Sequence, residues 1–69
     1  MKLSVRNVFK GKVTSLTEGM AVATVKVDIG GGNAVTSVIT MDAVKDLGLK
    51  VGDEINVLVK ATNVMLAKG

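Results

Sequence analysis

The chain has 69 residues, 48% of them hydrophobic, with nine Lys plus Arg against six Asp plus Glu and no Cys, His, Tyr or Trp. It is expected to form one domain, 1–69, that neither disulfides nor a Cys/His zinc site can staple. The acid, base and nucleophile sets of most enzymes cannot be assembled without His, Cys and Tyr, so a non-catalytic role is expected.

β-Branched residues and the absence of proline favour strands. The first expected strand, 3–16, opens with SVRNVFKGK and contains Gly11, read as the mark of a bulge or sharp bend. Four basic residues, Lys2, Arg6, Lys10 and Lys12, precede the first acid, Glu18. Such a segment suits an anionic partner, either a nucleic acid or a small oxyanion, or else is simply a solvated basic face. Thr17-Glu18-Gly19 is a turn. The second strand, 20–29, alternates Ala21, Ala23, Val25, Val27 and Ile29 on one face with Thr24, Lys26 and Asp28 on the other, the pattern of a half-buried strand. Gly30-Gly31-Gly32-Asn33 reads as a tight hairpin leading into a third strand, 33–40. It lacks the lysine and following helix of a phosphate-cradling loop.

After Thr40 the period changes. Thr40 or Asp42 can cap a helix of about two turns that carries Ala43, Val44 and Leu47 at helical spacing and stops at Gly48. A helix this short needs the sheet to hold it. Asp42 and Asp46, four apart, read as its solvated face rather than as a carboxylate pair. Leu49–Asp53 is a turn, and 54–60 and 64–67 are the closing strands. Five strands with a helix between the third and fourth is the element order of an all-β, OB-like Greek-key barrel.

The mean hydropathy, +0.46, exceeds what one small core can hide. A 69-residue chain buries only roughly 60% of its unfolded surface, so surplus apolar faces are expected to meet other subunits in a symmetric homo-oligomer. No apolar run approaches the roughly 20 residues of a spanning helix, and MKLSVRNVFKGK lacks the apolar segment of a signal peptide. A soluble cytoplasmic protein without a membrane partner is expected.

The remaining chemistry is binding. If 3–16 is a strand, Ser4 and Arg6 leave one face of it. Lys60 ends the apolar strand INVLVK where a loop, ATN, exposes backbone N–H groups. Two cations with hydroxyl and amide donors make a shell for a tetrahedral oxyanion. Taken singly, each residue has a plainer use: Ser4 as edge polarity, Lys60 as a snorkelling surface side chain, Thr62 as a turn former.

SVRNVFKGKV, VTSVIT, LGLKVGDEI and VKATNVMLA together resemble the molbindins, small Mop or TOBE-type molybdate-binding domains, over nearly the whole chain. Ser4, Arg6, Asn7 and Gly11 match the family's opening pattern, with Val5 where alanine is usual, and Lys60, Ala61, Val64 and Met65 match its closing pattern. The resemblance implies a hexamer, built as a trimer of dimers, that stores or buffers molybdate or tungstate at subunit interfaces without a cofactor. It implies oxyanion ligands at Ser4, Arg6, Thr40, Ala43, Lys60 and the backbone of Ala61, the last without the serine hydroxyl some members have there. The helix start at Ala43 would add dipole and N–H donors. The alternatives are an OB domain that binds nucleic acid, for which a single aromatic, Phe9, offers almost no stacking surface, and an oligomerisation module without a ligand.

Overall fold

The computed structural model describes residues 4–69. Four antiparallel strands, β1 (Asn7–Glu18), β2 (Val22–Gly30), β3 (Asn33–Thr40) and β4 (Glu54–Val59), form one sheet in the order β3-β2-β1-β4, and the helix α1 (Met41–Leu47) joins β3 to β4. This is a strand-rich, OB-like arrangement with one short helix, whose sheet is open rather than closed.

Each element follows from its residues. The apolar face of β2 supplies Ala23, Val25 and Val27, which are buried with Val13 of β1, Val44 of α1 and Leu49. Gly30 and Asn33 pair across a two-residue turn in which Gly31 and Gly32 both have positive φ, 63° and 78°, as hairpins that follow the sheet's twist require. Thr40 is both the last residue of β3 and the cap of α1: its hydroxyl oxygen accepts from the Ala43 N–H at 3.1 Å. The helix stops at Gly48, whose N–H bonds to the Lys45 carbonyl, and Leu49 bonds back to Val44.

Three expectations are corrected. Ser4 and Arg6 sit on irregular backbone before β1 opens at Asn7, so they do not share a strand face. The expected first residue of that strand, at position 3, lies outside the described residues. Gly11 does not mark the bulge. The extra residue falls between Val13 and Ser15, at Thr14, whose hydroxyl donates to the Lys26 carbonyl at 3.2 Å. Gly11 instead permits close packing, because a Cβ there would lie 2.5 Å from Val27 Cγ1 and 2.8 Å from the Asp28 carbonyl oxygen.

The third correction concerns the fifth strand. Beyond Val59 a single 3-10 turn, Ala61–Asn63, diverts the chain, and 64–69 continues as exposed, irregular backbone. Its pattern reads as a strand because Val64 and Leu66 alternate with Met65 and Ala67, apolar on both faces. A strand also needs a neighbouring edge to bond, and the chain leads this segment away from its own.

Candidate functional site

β1 and β4 bring the two ends of the sequence together. Their register pairs Asn7 with Val59, and the Asn7 side-chain amide donates to the Val59 carbonyl at 3.1 Å. Arg6 and Lys60 are the next residues along each chain direction, so they leave the sheet side by side, and both are exposed. Ser4 lies two residues further out, also exposed. In the turn after Lys60, the Asn63 N–H bonds to the Lys60 carbonyl at 2.8 Å. The N–H groups of Ala61 and Thr62, which open that turn, have no carbonyl within it to bond. One end of the sheet therefore carries a guanidinium, an ammonium, a hydroxyl and outward-facing amides.

Thr40 and Ala43 lie at the other end. β3 ends where β2 begins, with Val22 paired to Thr40, and Ala23 of β2 pairs with Glu18 at the far end of β1. The twelve residues of β1 separate this end from Asn7, about 36 Å along the strand path at roughly 3.3 Å per residue. The Met41 N–H is bonded to the Ala21 carbonyl at 2.9 Å, and the Ala43 N–H to Thr40. Because the Thr40 oxygen accepts from Ala43, its hydroxyl proton is left available as a donor.

The six expected ligands thus form two groups: Ser4, Arg6, Lys60 and Ala61 at one end, Thr40 and Ala43 at the other. A tetrahedral anion a few ångströms across cannot touch both within one chain. Composition alone hid this separation, whereas the antiparallel register, with Thr40 beside Val22 and Val59 beside Asn7, determines it. Asn7 stands out in the sequence only as a match to the family's opening pattern, and its partner, Val59, carries no sequence signal.

A hollow of about 620 Å³ on the sheet is lined by Lys10, Lys12, Asp28, Glu54 and Asn56, with Gly11 beneath. Lys12 is the register partner of Asp28 on one side and Glu54 on the other. The hollow's two cations face two carboxylates, so it offers no net attraction for an anion. At the Arg6 and Lys60 end, the adjoining register pair, Asn7 and Val59, carries no charge to offset the two cations. Among the described residues, no group of three or more acidic or other metal-ligating side chains could hold a bare cation, and no helix is long and apolar enough to cross a membrane.

Residues 3–66 match the model of the TOBE domain. A probable molybdenum-pterin-binding protein of Haemophilus influenzae is 50% identical over 66 residues, covering 96% of each chain. Among solved structures, MopII from Clostridium pasteurianum is 45% identical with a TM-score of 0.91, covering 97% of this chain and all of that one. A molybdate-binding protein from Sporomusa ovata superposes with a TM-score of 0.92 at 37% identity, covering 99% of this chain and all of that one.

Proposed function

The chain belongs to the TOBE-domain family, and from that premise we propose that it binds molybdate, without transforming it, at sites each shared by two copies of the chain. The observation that carries the reading is the pairing of Arg6 with Lys60 at one sheet end, fixed by Asn7 and Val59. Two cations match the two negative charges of a tetrahedral oxyanion, and a guanidinium, an ammonium, the Ser4 hydroxyl and the Ala61 N–H can each meet a different oxygen.

Thr40 completes the shell from a second copy. A two-fold axis that sets the Arg6 end of one chain beside the Thr40 end of its partner generates two equivalent sites, each with Ser4, Arg6, Lys60 and Ala61 from one chain and the Thr40 hydroxyl, aligned by Ala43, from the other. Three such pairs in a hexamer, loaded with molybdate or with the similarly sized tungstate, would hold the oxyanion in reserve in the cytoplasm. The nucleic-acid reading has no support from the surface, since Phe9 is the single aromatic side chain.

Titration calorimetry of the protein with molybdate tests the function. Saturable heat is expected with molybdate and tungstate, and the absence of heat at millimolar molybdate would remove the reading.

A further inference from the structure

The sheet face turned away from the buried Val13 and Val27 is charged in its middle and apolar at both ends. Lys12 stands there between its register partners Asp28 and Glu54, with Lys26 two residues from Asp28 along β2. At the Arg6 and Lys60 end the same face closes with Val8 and Leu58, register partners that are 42% and 41% exposed. At the Thr40 end it closes with Val22 and Val38, 49% and 64% exposed. Val22 is the register partner of Thr40, and Val38 stands two residues before it. Side chains two apart on a strand share a face, and register partners lie about 5 Å apart at Cβ. The two places that carry the oxyanion donors are therefore also where this face exposes aliphatic carbon to water.

The donors alone cannot sort tetrahedral dianions. Arg6, Lys60, the Ser4 hydroxyl, the Ala61 N–H and the Thr40 hydroxyl suit sulfate as well as molybdate, since both present oxygens in the same arrangement with the same charge. We propose that Val22 and Val38 of one copy close with Val8 and Leu58 of the other into an apolar collar around the shared oxyanion, and that by keeping water out this collar makes the site select the larger, less strongly hydrated molybdate over sulfate.

The collar rests on the two-chain site proposed above: when the Arg6 end of one chain meets the Thr40 end of its partner, each site receives one aliphatic pair from each side. Taking a dianion out of water costs more the smaller it is, because its Born solvation grows as its radius falls. A wet site lets sulfate keep part of its hydration shell and blunts that difference. A dry one imposes the whole of it, while strengthening the charge-assisted hydrogen bonds to the anion that enters.

Valine and threonine have nearly the same shape and both suit strands, so exchanging one for the other changes hydration at the collar without changing the size of the site. Molybdate affinity is measured by titration calorimetry and sulfate affinity by displacement of bound molybdate. Both are taken in the wild type, in Val22→Thr/Val38→Thr, in Val8→Thr at the other end, and in Val51→Thr. Val51 is exposed in the turn after α1, where the next residue, Gly52, bonds to Val13 in the middle of β1, away from both ends. The wild type is expected to prefer molybdate. The ratio of the sulfate to the molybdate dissociation constant is expected to fall by about fivefold in the double variant, less in Val8→Thr, and not at all in Val51→Thr. Sulfate bound as tightly as molybdate by the wild type, or an equal fall in Val51→Thr, would overturn the collar. A ratio unchanged in both collar variants would overturn it too and leave selection to the size of the cavity. No molybdate heat from the wild type would remove the functional reading and the collar together, whereas wild-type heat with an unchanged ratio removes the collar alone.

Discussion

The Asn7 side-chain amide holds the Val59 carbonyl at 3.1 Å, and through that bond the start of β1 and the end of β4 present Arg6 and Lys60 together. Asn7→Ala removes one hydrogen bond, worth about 1 kcal/mol. Chemical denaturation should show a stability loss of about that size, and molybdate affinity should fall about fivefold as the two cations lose their common support. Asn7→Asp should be worse, because a carboxylate cannot donate to Val59 and sets a negative charge beside the anion. Equal affinities for the wild type and Asn7→Asp would show that this bond does not organise the site.

Arg6→Ala and Lys60→Ala each remove a charge-assisted donor worth roughly 1.5 to 3 kcal/mol, so each should weaken molybdate binding more than tenfold in calorimetry. Arg6→Lys keeps the charge and loses the planar fork, and should fall between Arg6→Ala and the wild type. Both residues are exposed in the single chain, so Ala variants should leave the unfolding midpoint nearly unchanged.

Thr40 has two uses that substitutions can separate. Thr40→Val loses the bond from the Ala43 N–H and the hydroxyl donor, and should cost about 1 kcal/mol of stability as well as affinity. Thr40→Ser keeps the cap and the hydroxyl and should restore both. If Thr40→Val lowered stability but not affinity, Thr40 would be a helix cap and nothing more.

Gly11→Ala should destabilise by about 1 to 3 kcal/mol, since the added methyl meets the side chain of buried Val27 and the backbone carbonyl of Asp28 well inside normal contact, and neither can give way without shifting β2. Thermal unfolding would register it, and an unchanged midpoint would mean that β1 and β2 separate more easily than their packing implies.

Local signals in the sequence located most of the fold. The alternation of Ala23, Val25 and Val27 marks the buried face of β2, Gly31 and Gly32 mark the hairpin, and Thr40 with Gly48 bound the helix, because each depends on a few neighbouring residues. The register of β1 against β4, the bulge at Thr14 and the loss of the last strand were not legible in the same way. These depend on which edges meet, and Val64–Ala67 has the pattern of a strand without an edge in its own chain. The donor residues were readable as a set, while their division between two sheet ends required the strand register. The family resemblance named the ligand, which residue types alone left open between nucleic acid and oxyanion.

A molybdate site built from the Arg6 end of one chain and the Thr40 end of another is tested most directly by mixing two defective chains. Arg6→Glu reverses a charge at one end, and Thr40→Asp keeps a good helix cap while placing a carboxylate at the other. Each variant alone should bind molybdate at least tenfold more weakly than the wild type, given roughly 1.5 to 3 kcal/mol for a charged donor. After chain exchange, mixed pairs hold one site with both lesions and one with neither. Calorimetry of the equimolar mixture should therefore recover wild-type affinity in about a quarter of the sites if chains pair at random about a two-fold axis. A mixture that binds no better than the average of its two parents would contradict a site shared between chains.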